Sequence, residues 1–221
     1  RLPRPPPDSP SAGGLAPDTR TVPIRPGVTV SGCRYVPFDG LFLTVRAAER
    51  GLIRGGSDVL MIETIFDTLN AKAAMFAIEE IFDEVGERLP VWISGTITDL
   101  SGRTLTGQTA EAFWHSMRHA RPFAIGLNCA LGAEELRPHL AELSRVADCL
   151  VSSYPNAGLP TALGEYDEAP HPTATLVGEF AATPTPNLRG SVCGRPPDHT
   201  PAMATPARAP QYFPPPSPAS P

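Results

Sequence analysis

The stretch DVLMIETIFDTLNAKAAMFAIEEIF, residues 58–82, decides the fold of this chain. The four apolar residues 59–62 form a short run typical of a buried strand, and a carboxylate, Glu63, follows them directly. Apolar residues then recur at spacings of three and four, which predicts a helix over 67–82 that begins at a capping Asp67 or Thr68. Together the strand and the helix make one βα unit.

Similar units recur along the chain. We expect further strands at 91–94, 123–127, 149–152 and 188–193, and helices at 38–54, 110–119, 134–146 and 173–181. Residues 13–21 keep the remains of another strand and its loop. Successive βα units predict a parallel sheet with helices outside it, either an open doubly wound sheet or a barrel.

Polar residues at the strand ends favour the barrel. In a barrel of this kind the carboxyl ends of the strands converge on one mouth, where active sites are built. The residues just after the predicted strands are Glu63, Gly95-Thr96, Asn128-Cys129, Tyr154-Pro155-Asn156 and Cys193. No GxGxxG follows a strand and no GxxxxGK[ST] occurs, so a nucleotide site is not indicated.

The prolines separate an ordered middle from two irregular ends. Only five of the 28 prolines lie between Phe38 and Ala169. Because proline supplies no backbone donor, the Pro-rich flanks cannot pack regularly. We therefore expect disordered segments at 1–12 and 203–221 around a single domain at 13–202.

Charge and hydropathy exclude several kinds of partner. The chain has 18 Lys and Arg against 23 Asp and Glu, a net charge of -5, and no run of basic residues that would suit nucleic acid. No apolar stretch approaches the roughly 20 residues of a membrane span, and the first residues lack the apolar core of a signal peptide. We expect a cytoplasmic protein with no nucleic-acid and no membrane partner.

The four cysteines are too few and too widely spaced for a disulfide scaffold. Cys129 and Cys193 would each end a strand at the same face, so that their thiolates could meet and hold zinc. Burial as small apolar side chains is the competing interpretation for both, and it is the one we prefer for Cys149, which lies in an apolar run.

Two other polar residues, Glu63 and Asn156, also follow predicted strands. Glu63 needs a partner or a cavity because burying a lone carboxylate is costly, so it either pairs with an arginine or contacts a ligand. Asn156, in Pro155-Asn156-Ala157-Gly158, is on composition a turn residue. The five histidines are scattered and form no Ser-His-Asp or HExxH arrangement.

Several segments resemble the homocysteine-binding domain of cobalamin-dependent methionine synthases. The resemblance is long and nearly gapless over 38–181, and it weakens towards both ends. It is closer to this family than to the betaine-dependent or S-methylmethionine-dependent homocysteine methyltransferases. The segments are IETIFDTLNAKA at 62–73, SGTITD at 94–99, SGRTLTGQT at 101–109, GLNCALG at 126–132 and YPNAGLP at 154–160.

The resemblance implies a (β/α)8 barrel whose chemistry is zinc-assisted alkylation of a thiol. Three cysteine thiolates hold Zn²⁺, one after the sixth strand and an adjacent pair after the eighth. In this family the metal lowers the pKa of the homocysteine thiol. The resulting homocysteine thiolate attacks the methyl group of methylcobalamin, which is carried on another domain. By position, Cys129 and Cys193 match metal ligands. Asn156 matches the asparagine that occupies the metal's open position without substrate, and Glu63 matches the acidic residue that holds the substrate's amino group.

The sequence also departs from the family pattern. The family's Gly-Gly-Cys-Cys-Gly-Thr-Thr-Pro appears as GSVCGRPP at 190–197, so Val192 stands where the first cysteine of the pair is expected. The resemblance starts at about the third strand of the family pattern, which predicts an incomplete TIM-type barrel of about strands 3 to 8. The DxHxxG cobalamin-binding motif is absent, so the cobalamin- and folate-binding modules are expected as separate partners.

The expected function is zinc-dependent methyl transfer to the thiol of homocysteine, giving methionine. The chain would be the homocysteine-binding part of a methionine synthase, a 5-methyltetrahydrofolate-homocysteine methyltransferase, with little or no activity by itself. The alternative is a noncatalytic, truncated or frame-altered fragment of that enzyme. A stand-alone homocysteine methyltransferase with a small methyl donor ranks below both, because it would need the strand-one motif of the family.

Overall fold

Strands and helices alternate along the chain. The computed structural model describes residues 10–15, 38–98, 100–159, 161, 163, 166, 168–181, 186–190, 193, 197–199 and 201–203. Within them the strands are β1 (Ala12–Leu15), β2 (Val59–Ile65), β3 (Val91–Gly95), β4 (Ala124–Asn128), β5 (Leu150–Tyr154) and β6 (Leu188–Arg189). The helices are α1 (Phe38–Arg54), α2 (Thr68–Val85), α3 (Ala110–Met117), α4 (Ala133–Val146) and α5 (Pro170–Ala181), and a 3₁₀ turn, Arg118–Ala120, follows α3.

The sheet is parallel throughout, and its strands lie in the order of the sequence, β1-β2-β3-β4-β5-β6. A doubly wound sheet would reverse its strand order at a switch point. This sheet has no reversal, because every crossover steps one strand further in the same direction, as in a barrel. The described part of the chain is therefore a curled half-barrel, and the expected incomplete TIM-type barrel is confirmed.

The core lies between the sheet and the helices. Ile93 of β3 and Ile125 and Leu127 of β4 are fully buried and pack against the helix layer. From the helices, Phe113 and Trp114 of α3 are the largest side chains buried there. The other face of the same strands is the inner surface of the half-barrel, where Trp92 and Tyr154 meet edge to face with ring centroids 5.4 Å apart.

Local sequence signals explain the helix ends. Asp67 caps α2 by accepting a hydrogen bond from the N–H of Leu69 at 2.9 Å, and Gly86 ends the helix in a left-handed conformation. Thr109 caps α3 in the same manner, accepting from the N–H of Ala112 at 3.2 Å. The predicted helix at 38–54 is observed with the same bounds.

Three strand predictions differ from the structure near the site. β2 continues through Glu63 to Ile65, with an irregular register between Ile62 and Ile65, so Glu63 lies within the strand rather than after it. β5 begins at Leu150, so Cys149 lies just outside its start. β6 comprises only Leu188–Arg189, and Cys193 lies in a turn beyond it.

The expected disordered ends fall mainly outside the described residues. At the N-terminal side β1 begins at Ala12, one residue before the expected domain boundary, and the N–H of Ser11 donates to the carboxylate of Asp58 at 2.7 Å. At the C-terminal side Met203 is buried.

No helix in the described part of the chain is long and apolar enough to span a membrane.

Candidate metal and substrate site

The strand-end residues meet at one edge of the half-barrel, as parallel strands require. Cys129 directly follows β4 and Cys193 lies beyond β6, and their Sγ atoms are 4.0 Å apart. Both are free thiols. The distance is about twice the roughly 2.05 Å of a disulfide bond, so the two sulfur atoms lie side by side without being joined. Residues 64 positions apart in the sequence thus form one cluster.

The backbone at Cys129 turns the thiol towards Cys193. Cys129 and Ala130 have φ angles of 60° and 58°, in the left-handed region that non-glycine residues rarely occupy. Hydrogen bonds hold this conformation: the N–H of Cys129 donates to the carbonyl of Tyr154 at 3.1 Å, and the N–H of Leu131 donates to the carbonyl of Cys129 at 2.7 Å. The strained turn therefore positions a reactive group.

Asn128 is the centre of the hydrogen bonds beneath Cys129. Its fully buried side chain donates from Nδ2 to Thr64 Oγ1 at 2.8 Å and to the sulfur of Cys129 at 3.1 Å. Its Oδ1 accepts from the Ser94 hydroxyl at 2.6 Å and from the N–H of Thr64 at 3.1 Å. One amide thus joins the ends of β2, β3 and β4 and orients the thiol.

Several effects of opposite sign act on the pKa of the Cys129 thiol. Burial raises the pKa of the Cys129 thiol, and the neighbouring Cys193 thiol raises it further, whereas the Asn128 hydrogen bond lowers it. The Thr64 hydroxyl also hydrogen-bonds the sulfur and lowers the pKa. The net pKa is raised, so in the protein alone the thiol form is favoured, and a bound cation would favour the thiolate.

The loop after β5 closes the site from a third side. Asn156 is buried, its N–H donates to the carbonyl of Leu131 at 3.0 Å, and its Nδ2 donates to the Tyr166 hydroxyl at 3.2 Å. The N–H of Ala157 donates to the carbonyl of Cys193 at 3.1 Å. The segments that follow β4, β5 and β6 are therefore tied together around the two thiols.

Tyr166 joins the site through its hydroxyl, which accepts the hydrogen bond from Asn156 Nδ2 at 3.2 Å. Desolvation raises the pKa of Tyr166, and the charges of Cys193 and Cys129 raise it further.

Glu63 lies in β2, and its carboxylate lies next to β1. A Cβ at Gly14 of β1 would lie 2.8 Å from Glu63 Oε1, so the glycine leaves room for the carboxylate. Burial raises the pKa of Tyr154, and the charge of Glu63 raises it further. In the described residues no arginine or lysine forms an ion pair with Glu63. Of its two interpretations, the arginine pair is therefore not observed.

The two thiols fit zinc in distance. Two sulfur ligands at about 2.3 Å from a tetrahedral Zn²⁺ lie roughly 3.8 Å apart, close to the observed 4.0 Å. The described residues contain no group of three His, Cys, Asp or Glu side chains that could hold a metal ion. Val192, where the family has its other cysteine, lies outside the described residues. Among the described residues, Cys129 and Cys193 thus supply two thiols at a spacing that suits zinc, and no third side chain of these types joins them.

Sequence reasoning did not assign roles to Thr64, Asn128 or Tyr166. The sequence could have predicted a role for Asn128, because a polar amide directly after a buried strand and before Cys129 must find hydrogen-bond partners in the core. Thr64 and Tyr166 had no such signal in their own neighbourhood, since their contacts come from strands and loops remote in sequence. Cys149 is the opposite case: it packs against the core, and burial, followed by the charge of Asp148, raises its pKa to about 12.

The fold and the site together define a parallel α/β barrel-type domain with paired thiols at the carboxyl ends of its strands. The sequence profile of the family described as homocysteine S-methyltransferase matches residues 11–206. The chain therefore belongs to the homocysteine S-methyltransferase family, which confirms the resemblance at the level of the family.

Two solved structures of the homocysteine methyltransferase MmuM from Escherichia coli share this fold. The apo form superposes with a TM-score of 0.62 and 17% identity, over 88% of this chain and 61% of MmuM. The metallated form gives a TM-score of 0.60 and 19% identity, over 77% of this chain and 52% of MmuM. The chain thus spans less than two thirds of the length of either structure.

Proposed function

We propose that this chain is the homocysteine-binding part of a cobalamin-dependent methionine synthase and presents the homocysteine thiol for methylation. The observation that carries the proposal is the 4.0 Å approach of the Cys129 and Cys193 sulfur atoms at the mouth of the half-barrel. Family membership supports the substrate, and the motifs at 62–73, 94–109, 126–132 and 154–160 support the methionine synthase context.

In this proposal Cys129 and Cys193 hold Zn²⁺. When bound, the metal would lower the pKa of the homocysteine thiol, so that a nucleophilic thiolate exists at neutral pH. Asn128 and Thr64 orient the Cys129 sulfur through their hydrogen bonds, and the left-handed turn at 129–130 keeps it at the mouth. As the resemblance implies, Asn156 would occupy the metal's remaining position in the absence of substrate.

Glu63 binds the ammonium group of homocysteine. A carboxylate without an ion pair in the described residues can accept charge-assisted hydrogen bonds from a substrate ammonium. Glu63 would thereby fix the amino-acid end of the substrate and direct the thiol towards the two cysteines. The methyl group would come from methylcobalamin on a separate module, and a folate-binding module would reload it. The free thiols Cys129, Cys149 and Cys193 agree with a reducing, cytoplasmic location.

One observation favours the alternative of a noncatalytic fragment. Val192 removes one of the three thiolates of the family pattern, and fewer thiolates hold zinc less firmly. We expect the isolated chain to bind zinc and homocysteine weakly and to turn over little or not at all.

Metal analysis of cysteine variants tests the proposal. Zinc should bind at one ion per chain, and Cys129→Ser or Cys193→Ser should each weaken it by about tenfold or more. Cys149→Ser, which removes a free thiol outside the site, is the matched control and should leave zinc binding unchanged. Glu63→Gln should keep the zinc but weaken homocysteine binding, followed by calorimetric titration. Equal zinc binding in all three serine variants would contradict the assigned site.

A further inference from the structure

The proposed site brings several sulfur atoms to one place. Cys129 and Cys193 lie 4.0 Å apart, and the homocysteine sulfur would join them at the same metal. A sulfur that attacks a methyl group forms the bond to the methyl carbon, and the carrier leaves with the electrons of its own bond to that carbon. Methylation of a cysteine that holds the metal would destroy the site. The cysteines must therefore be poorer nucleophiles than the substrate.

The orientation of the Asn128 side-chain amide is fixed by its neighbours. The backbone N–H of Thr64 can only donate, and it reaches Asn128 Oδ1 at 3.1 Å. The Ser94 hydroxyl donates to the same oxygen at 2.6 Å. Nδ2 therefore lies on the other side of the amide, where it donates to Thr64 Oγ1 at 2.8 Å and to the Cys129 sulfur at 3.1 Å.

Asn128 cannot turn away from the sulfur without breaking these contacts. Its side chain is fully buried, and the Thr96 hydroxyl donates to its backbone carbonyl at 3.1 Å. Nδ2 carries two protons, and both are engaged, one by Thr64 and one by Cys129. No proton of this amide remains for the sulfur of a substrate.

A hydrogen bond from an amide to a thiolate draws electron density away from the sulfur. The nucleophilicity of the sulfur falls as a result, just as it falls with the pKa of a thiol. Groups that touch a metal ligand without binding the metal commonly tune the ligand in this way. The Asn128 amide therefore weakens Cys129 as a nucleophile and leaves the substrate sulfur unaffected.

We propose that Asn128 is a specificity-determining residue that protects Cys129 from methylation and leaves the homocysteine sulfur as the preferred nucleophile. Asn128 acts through Cys129, so it is a positioning residue rather than a catalytic one. The inference rests on the proposed function, in which Cys129 holds zinc beside homocysteine.

Methylation of the zinc-loaded full chain by iodomethane tests the proposal. Peptide mass spectrometry follows the initial rates at Cys129 and at the exposed Cys193 separately. Asn128→Asp keeps the size and the accepting oxygen but removes the N–H donor, and Asn128→Leu removes the donor without adding a charge. Each should raise the rate at Cys129 by about tenfold and leave the rate at Cys193 close to that of the parent chain.

Ser94→Ala is the matched control, because it removes a hydrogen bond from the same amide but leaves the Nδ2 donor in place. Its Cys129 should be methylated at nearly the parent rate. Cobalt-loaded chains add a readout that loosened packing would not give. Loss of the donor should move the sulfur-to-cobalt charge-transfer band to lower energy in both Asn128 variants and not in Ser94→Ala. The thermal midpoint of each variant reports on folding.

The outcomes separate this inference from the function on which it rests. An unchanged rate at Cys129 in folded, zinc-loaded Asn128 variants overturns the inference while the zinc site stands, and so does an equal acceleration in Ser94→Ala. Methylation of Cys129 as fast as that of Cys193 in the parent chain overturns it without any variant. If no chain binds zinc or cobalt, the proposed function fails and the inference fails with it. Acceleration confined to the variants without the donor, together with the band shift, supports it.

Discussion

Glu49 is a carboxylate on the buried face of α1. It is 0% exposed, and neither of its oxygen atoms has a hydrogen-bond partner among the residues that the structure describes. Val45, one turn earlier, and Leu52 and Ile53, one turn later, pack against the core on the same side of the helix. The arginines nearest in the helix, Arg46 and Arg50, form their ion pairs with Glu84 of α2. Burial raises the pKa of Glu49 to about 9, so the carboxyl group is neutral at pH 7.

This raised pKa predicts a pH-dependent stability. Between about pH 4.5 and 9 the folded chain keeps a proton that the unfolded chain releases. The free energy of unfolding should therefore be greatest below pH 4.5 and fall as pH rises, by at most about 1.4 kcal/mol per pH unit. Glu49→Gln should remove this slope, and Glu49→Leu should also raise the stability at pH 8. Urea unfolding across this range measures both effects.

The exposed Glu87 supplies the control for Glu49. Glu87→Gln removes a carboxylate from the surface and should leave the dependence on pH as it is in the parent chain. An unchanged slope in Glu49→Gln would mean that other groups produce it.

The neighbouring strands β4 and β5 are packed too closely to tolerate a side chain between them. Both strands are paired over their full length, and Gly126 lies beside Ser152. A Cβ at Gly126 would be 1.8 Å from Ser152 Oγ and 2.3 Å from its carbonyl oxygen. Trp92 Nε1 also donates to Ser152 Oγ at 2.8 Å, which holds that side chain in place. The close contact brings Cys129 within reach of Tyr154.

Gly126→Ala should force β4 and β5 apart. We expect a loss of stability of about 1–3 kcal/mol, because the backbone carbonyl of Ser152 cannot move out of the way as a flexible side chain would. Zinc binding should weaken as well, since the hydrogen bond from Cys129 to Tyr154 depends on this spacing. Denaturant unfolding and zinc titration measure the two effects.

At a second glycine, Gly51, we expect an alanine substitution to raise the stability of the chain. Gly51 lies inside α1, and a Cβ there would meet no atom of the described residues within 4 Å. Gly51→Ala should therefore raise stability by about 0.5–1 kcal/mol, through helix propensity alone. If both alanine variants behaved alike, the close packing of β4 on β5 would not be the cause.

For the whole molecule, stability should decrease from the centre of the sheet to its edges. β3 and β4 are buried at every residue and paired on both sides, whereas β1 and β6 are the outer strands of the described sheet. Fewer neighbours and fewer buried hydrogen bonds make a segment open more easily. We therefore expect the half-barrel to be most stable against local unfolding in the strands beneath Asn128 and Cys129.

Native-state hydrogen exchange should show this gradient. We expect the slowest exchange for the amides of β3 and β4, intermediate rates for β2 and β5, and the fastest for β6. Peptide-resolved mass spectrometry is sufficient, because the strands lie in separate sequence segments. Rapid exchange across 59–154 would favour the alternative that the chain is a collapsed, noncatalytic fragment.

By itself, the sequence determined the elements and their order. Hydrophobic periodicity and capping residues act over a few positions, so α1, α2 and the centres of β2 to β5 could be predicted. The resemblance pointed to Glu63, Cys129, Asn156 and Cys193 as site residues, and these remain proposals. A barrel was favoured but not decided, because the same βα pattern also suits a doubly wound sheet.

Only the tertiary structure decided how these elements meet. The strand order, the 4.0 Å between two sulfur atoms and the burial of Glu49 come from contacts between residues far apart in the sequence. Such contacts depend on strand register, on the left-handed turn at 129–130 and on how closely neighbouring strands pack. Local preferences do not specify these distances, because they result from the packing of the whole domain.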